Sequence, residues 1–430
     1  MAQQTSLHIG VILSLALRNL KRNARRTALT FSALFIGGAL LIFALWFGDG
    51  THEQWIDAGV RTGSGHVTIE KPGFRVSQKI ADRLVESTHP PVMAALATPE
   101  IADQVQTVFS RFNVSGLASS AAAARPALIV GVDPTVESAL TQIDDQVIDG
   151  RYLEPDDRLA AYVGVGLADG LDLRLGSRLV LTAQDTSDDI TGQLVRVVGV
   201  FETGIPAVDQ AMIYVTHGLV GEWLGSGRDV TSISVMVEDS YGVPRLVRQL
   251  RQLLAEPIAS GSATVTGWTE AMPELYAAVL VDEWGSYVIF VVLFVIIGFG
   301  IVNTVLMSVL HRHREFGVIQ ALGLTPRQTG AIVFIEGILL TGAGAIVGVA
   351  VGGLLTWLFM RNGVDMTVLM GDTDYEFAGV VLDPIMIPLF RPARVVQAIV
   401  SILMIGVMAS IYPAVRAATV DIAESMKFDR

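Results

Sequence analysis

The chain has 430 residues, 51% of them hydrophobic and only 17% charged. That charge fraction falls below the roughly 25% of an average soluble domain, and the apolar excess lies in blocks, so an ordinary water-soluble globule is excluded. A net charge of −12 argues against a nucleic-acid partner, and the absence of cysteine excludes disulfides and thiolate metal sites.

The first element is a predicted amphipathic helix within residues 1–27. Ile9, Ile12, Leu13, Ala16, Leu17 and Leu20 form one apolar stripe, followed by Arg18, Lys21, Arg22, Arg25 and Arg26. Such a helix lies in a membrane interface with its basic residues near headgroups, either as an anchor alone or coupled to the next span. That span, residues 28–48, carries no charge and is too long for a signal peptide.

Residues 49–284 form a large insert with 32 acidic against 16 basic side chains. Short β-branched runs such as "HVTIEK", "PALIVGVD", "RLVLTAQ", "AMIYV" and "SISVMVED" read as strands. Val243 to Pro257 places Leu246, Val247, Leu250, Leu253 and Leu254 on one helical face. The expectation is an α+β domain, with one unit at 232–268 and a second over 130–220.

Three further spans follow, at 285–310, 329–360 and 395–415. They are separated by a short segment, 311–328, and a 34-residue loop, 361–394. A tail, 416–430, ends the chain. Basic residues cluster before the first span, at Arg312, Arg314 and Arg327, and at Arg416, Lys427 and Arg430. These positions are therefore expected to be cytoplasmic, with 49–284 outside. Arg361, Arg391 and Arg394 on the outer side oppose this assignment without reversing it. The fold class is an α-helical membrane protein with four transmembrane helices and a large α+β extracytoplasmic domain inserted between helices 1 and 2.

Catalytic constellations are weak. "GVGLADG", Gly164 to Gly170, misses the dinucleotide fingerprint by one residue and turns back into a strand, so it reads as a loop-helix element. His8, His52, His66, His89 and His217 lack ligand spacing, and His311 and His313 point to different sides of a helix. No G-x-x-x-x-G-K-[ST] occurs, so any ATP hydrolysis belongs to another chain. The chain is read as a transmembrane subunit and not an enzyme, with no catalytic, metal or cofactor-binding residues of its own.

The membrane segments are more informative. Gly344, Gly348 and Gly352 recur every four residues and give a helix face that another helix can approach closely. Glu336 lies about two turns into the same span. It is read as a structural, hydrogen-bonded carboxylate or as an ion-relay residue. In "HRHREFGVIQALGLTPRQ", Phe316, Ile319, Gln320 and Leu322 are expected to form a short apolar edge. Gly323 stops that helix, and Thr325 and Pro326 start the next. A stub held rigidly between two spans would transmit a push from a cytoplasmic partner, which a plain connecting turn would not.

The same residues carry a resemblance. "NTVLMSVLHRHREFGVIQALGLTPRQTGAIVFIEG", "YPAVRAATVDIAESMK", "LALRNLKRNARRTALT", and in the insert "SGHVTIE", "DGRYLEPDD" and "VVGVFETGIPAVDQAMIYV", resemble the FtsX-like permease family of ABC transporters. The resemblance is to the MacB and lipoprotein-releasing type, and it covers nearly the whole chain. The tail departs from it by lacking the proline common after the C-terminal signature. The resemblance implies a second permease protomer, as homodimer or heterodimer, and two copies of an ABC ATPase that holds the ATP and Mg. It also allows a periplasmic lipoprotein carrier or adaptor. Arg314, Glu315, Phe316, Ile319, Leu322 and Gly323 would be the ATPase coupling residues. ATPase closure would drive motion of the periplasmic domain, a mechanism called mechanotransmission, acting on lipoproteins or other hydrophobic substrates in contact with membrane lipid at the bacterial inner membrane. The alternative is an FtsX-like signalling scaffold that activates a periplasmic cell-wall hydrolase.

Overall fold

The computed structural model describes residues 24–367, 376–377, 380–381 and 385–420. The predicted N-terminal stripe at 9–20, residues 421–430 of the tail and part of the 361–394 loop lie outside the described residues. In chain order, helix α1 (Ala24–Thr62) leads to strand β1 (Val67–Glu70), helix α2 (His89–Leu96), the long strand β2 (Val105–Ser119) and β3 (Ala124–Val132). Then come α3 (Pro134–Thr141), β4 (Val147–Gly150), β5 (Ala160–Gly164), α4 (Val165–Gly170), β6 (Arg178–Gln184), β7 (Ile190–Phe201), β8 (Met212–Thr216) and α5 (His217–Trp223). They are followed by β9 (Ser232–Val237), α6 (Val243–Leu253), β10 (Thr264–Gly267), α7 (Pro273–His311), α8 (His313–Ala321), α9 (Pro326–Met360) and α10 (Pro392–Ala418). The chain divides into a helical unit, with residues up to 52 and most of those beyond 281, and an inserted unit over 53–280.

Among the described residues four helices are long and apolar enough to cross a membrane: α1, α7, α9 and α10. Two of them run well past their apolar centres. α1 and α7 each have 39 residues, about 58 Å of helix against a hydrocarbon core of about 30 Å. Neither has a proline after its first residue to stop it. Their polar continuations are secured by burial, with Trp55, Ile56 and Val60 of α1 and Leu275 and Val279 of α7 in the inserted unit's interior.

The inserted unit is organised around β2. Its first half, through Arg111, pairs with β9 in an antiparallel sheet ordered β10–β1–β9–β2. α6 packs on this sheet through the buried Val243, Leu246, Val247 and Leu250. From Phe112 onward β2 pairs with β3 instead. The pairing then runs β3–β8–β5–β7–β6 and returns to β2, closing a six-stranded barrel. Closure depends on Gly116, because a Cβ there would sit 2.5 Å from the Thr182 carbonyl oxygen of β6.

Alternation along the strands assigns the two faces. Val114, Ile129, Val163, Leu181, Val197 and Ile213 share the barrel's core, and Leu167 of α4 and Leu219 and Val220 of α5 join them. The "GVGLADG" segment is thus β5 running into a short helix whose Leu167 fills the core. The opposite face of β3, β5 and β8 builds a second core from Val130, Tyr162 and Tyr214 with Phe201. There the Tyr162 hydroxyl donates to the Ile143 carbonyl at 2.8 Å.

Candidate coupling site

The turn between α7 and α9 is built from unusually explicit local signals. α8 stops in a Schellman motif: Leu324 N–H donates to Ile319 C=O at 3.2 Å and Gly323 N–H to Gln320 C=O at 3.0 Å. The motif requires a left-handed residue, and Gly323 has φ +110°. Two residues on, Thr325 caps α9, its hydroxyl accepting from Gln328 N–H while the Gln328 side chain accepts from Thr325 N–H at 2.9 Å. Pro326 occupies the first turn. One helix is therefore stopped and another started within four residues, which leaves little slack.

α8 is fastened at its other end by Arg312. Its guanidinium donates through Nε to Glu315 at 3.0 Å and through Nη1 to Glu336 of α9 at 3.2 Å, and it lies 5.1 Å over the Phe316 ring. The Arg312 and Glu336 side chains are only 8% and 12% exposed. A carboxylate at that depth is costly unless paired, and Arg312 supplies the pair. A pocket of about 30 Å³ adjoins them.

The faces of α8 differ from the edge drawn from spacing. Phe316 is 2% exposed and Gln320 is also buried, its amide donating to Thr329 at 3.4 Å. Both point into the helical unit because the Arg312 contact fixes the roll of α8. The outward stripe is instead Arg314, Val318 and Leu322, each four residues apart, with Leu322 80% exposed. Glu315 and Ile319 are half-buried at its border.

α9 is the hub of the helical unit. A Cβ on Gly344 would lie 2.6 Å from the Leu34 Cβ of α1, and one on Gly348 2.6 Å from the Phe35 carbonyl oxygen. One on Gly352 would overlap Ala39. The four-residue stripe therefore seats α1 directly on the α9 backbone. A second face of α9 meets α10, where Gly337 abuts Ser410 and Gly406 of α10 abuts Thr341. At the far end of the same bundle Arg394, in the first turn of α10, grips the buried Asp49 of α1 with two hydrogen bonds, 2.8 and 2.5 Å. His52 of α1 pairs with Asp282 of α7 at 2.6 Å. Among the described residues the bundle is thus tied through Arg312 and Glu336 at the α8 end, and through Arg394–Asp49 and the His52–Asp282 contact at the other.

Within the inserted unit, the end of α1 is held by a buried arginine. Arg111 donates to both Glu137 oxygens, at 3.0 and 2.7 Å, and to the carbonyls of Arg61, Thr62 and Gly63 at 2.9, 3.0 and 2.5 Å. Those carbonyls are the unpaired acceptors at a helix C-terminus, where a cation is also favoured by the helix dipole. Burial alone would lower the guanidinium's pKa; Glu137 beside it outweighs this, and the pKa stands above its usual value. Arg75 does a similar job before α7, bonding Glu70 and the Ala271 carbonyl.

The sequence marks Arg312 and Arg394 only as charges that set orientation, and Val318, Asp49, Arg111 and Glu137 not at all. Arg312 and Glu315 stand three apart and were findable as a helical pair. Arg111–Glu137 and Asp49–Arg394 join positions 26 and 345 residues apart, for which a single sequence gives no signal.

A model of the MacB-like periplasmic core domain matches residues 27–253, more than half of the chain, and one of the FtsX-like permease C-terminal region matches 287–422. The lipoprotein-releasing system transmembrane protein LolC of Neisseria meningitidis is 23% identical over 314 residues, 70% of this chain and 72% of the relative. The macrolide export ATP-binding/permease protein MacB of Brucella melitensis is 25% identical over 369 residues, 83% of this chain and 55% of that relative. The extracellular domain of the transporter YknZ aligns with 47% of this chain and 99% of that structure, at 17% identity and a TM-score of 0.33. The chain belongs to the FtsX-like permease family of ABC transporters and carries a MacB-like periplasmic core domain.

Proposed function

We propose that this permease converts the closure of a separate ABC ATPase, bound at α8, into movement of the inserted domain, and that the movement acts on lipoproteins or other hydrophobic substrates at the outer face of a bacterial inner membrane. The observation that carries this reading is α8 itself. It is stopped by a Schellman motif just before a capping box starts α9, is pinned to α9 through Arg312 and Glu336, and presents Arg314, Val318 and Leu322 outward. Two apolar side chains beside a basic one, on a stiff stub, suit docking in a groove of a cytoplasmic partner. In this reading both termini are cytoplasmic and the α+β domain is periplasmic. ATP and Mg reside on two copies of the ATPase, and a second permease protomer completes the complex. The lipoprotein class follows the name of the LolC relative.

The test is co-expression with candidate ATPase chains and purification in mild detergent. The native chain should bring down an ATPase whose hydrolysis responds to substrate. Leu322→Asp should lose that chain, and Ile319→Pro should uncouple hydrolysis from transport while the protein still inserts. Normal transport by either variant would overturn the coupling role of α8.

A further inference from the structure

We propose that a cleft in the inserted unit binds an uncharged, mostly apolar molecule carrying a hydroxyl group, and that His217 Nδ1 is the acceptor that recognises the hydroxyl. The site uses no residue of α8.

The cleft encloses about 530 Å³, room for a drug-sized molecule. Met93 of α2, Val108 and Phe109 of β2, Val136 of α3, Val230 before β9 and Ile233 within it give apolar walls. β9 belongs to the sheet, whereas α5, which brings His217 to the cleft, packs into the barrel's core. Val108 to Ser110 lie just before Phe112, where β2 leaves β9 for β3. The cleft is therefore at the joint between sheet and barrel, and a molecule within it touches both.

The charged groups around it are already committed. Asp133 accepts from the Thr135 and Val136 N–H groups at the start of α3. Asp229 accepts from Arg83 at 2.5 Å and from the Glu86 N–H at 2.8 Å. The Arg228 side chain is 86% exposed at the rim. An ion would exchange water for apolar walls and engaged charges, which is costly; an uncharged molecule avoids that cost.

His217 supplies the polar contact. Its Nε2 lies 3.1 Å from the Ser110 carbonyl, which only accepts, so Nε2 carries the hydrogen. Burial lowers the pKa of the ring, outweighing the opposing contact with Ser110, so it is neutral at neutral pH. Nδ1 is then a bare acceptor. It makes no hydrogen bond among the described residues, and solvent reaches it. The same tautomer rules out a nucleophile and base, because the Ser110 Oγ stands 3.3 Å from the nitrogen that already holds a hydrogen. Across the cleft, His89 keeps Nε2 buried without a partner, so a small turn of that ring toward a ligand would gain a hydrogen bond. A hydroxyl suits both rings because it donates and accepts.

2-Naphthol, an apolar alcohol uncharged at neutral pH, is the probe, and 2-methoxynaphthalene is its analogue without the donor. In the cysteine-free chain in nanodiscs, the N-ethylmaleimide labelling rate of Met93→Cys, 49% exposed in the cleft, reports occupancy. Val76→Cys, 92% exposed and outside the cleft, is the control. Millimolar 2-naphthol should slow labelling of Met93→Cys by about 3-fold or more and leave Val76→Cys unchanged. The methoxy analogue should need about 3- to 10-fold more probe for the same protection, and His217→Leu should erase that difference. Gly218→Trp, at a cleft position with nothing within 4 Å of an added Cβ, should cover the site and abolish protection even if His217→Leu does not fold. No protection of Met93→Cys, equal protection by the two probes, equal slowing in Val76→Cys, or undiminished protection in Gly218→Trp overturns the site. Each of these leaves the role of α8 standing, and failure of an ATPase to co-purify strikes that role and leaves the cleft standing.

Discussion

Replacing Arg111 by methionine keeps the approximate bulk of the side chain and removes all five of its hydrogen bonds. It leaves Glu137, 2% exposed, as an unpaired buried anion, and it frees three carbonyls at the end of α1. Breaking one side of a buried ion pair costs about 3–5 kcal/mol. For a unit of this size, 1 kcal/mol is about 2–4 °C of melting temperature, so the loss should be about 6–20 °C. The assay is thermal melting of the purified full chain followed by tryptophan fluorescence, since Trp55, Trp223 and Trp268 report on the inserted unit. Arg111→Lys keeps the charge without the planar fork and should fall between. Arg111→Met with Glu137→Leu should lose less than Arg111→Met alone, because no charge is then stranded. Coincident melts for wild type and Arg111→Met would refute the view that this arginine fastens α1 to the domain.

Further outcomes follow from the same contacts. His66 is 2% exposed and accepts from Val237 N–H at 3.3 Å; burial first, offset by Asp57 and Asp239 and reinforced by Arg61, lowers its pKa from 6.5 to about 4. Its contribution to stability should be complete above pH 6.5 and lost as pH falls toward 4, about 2 kcal/mol at pH 5; denaturant midpoints of His66→Gln should show a flatter acid limb. Gly348→Leu should cost about 1–3 kcal/mol or more through collision with Phe35, whereas Gly298→Ala, whose Cβ meets Ile405 at 3.4 Å, should be mild; detergent melting separates the two. Arg312→Ala removes the Arg312 contact from Glu336 and should speed amide exchange in α8, with an Arg312–Glu336 double-mutant cycle giving about 0.5–3 kcal/mol of coupling.

What the sequence made legible was local. Four apolar runs announce four helices because lipid demands internally bonded backbone. Gly323, Thr325 and Pro326 speak for themselves because a helix stop and start are decided within a few residues. A glycine every fourth residue identifies a close-packing face, yet not that α1 is what seats there. The reach of α1 beyond Gly48 was hidden, because its polar continuation is stabilised by distant packing and not by propensity. The roll of α8 was hidden for the same reason: periodicity shows that two faces exist, and only the Arg312–Glu336 contact decides which turns inward. Barrel closure between β2 and β6 joins segments some sixty residues apart through neighbours that one sequence cannot pair.

Relay of motion from α8 to the inserted domain is tested most directly by a distance. In the cysteine-free chain, spin labels at Val76→Cys, an exposed site in the inserted unit, and Leu355→Cys in α9 can be measured by double electron–electron resonance with the co-purified ATPase in nanodiscs. Trapping the ATPase with nucleotide and vanadate should shift the distance distribution in the native background and leave it unchanged with Leu322→Asp. A shift that persists in Leu322→Asp, or no response to nucleotide in either background, would contradict the relay.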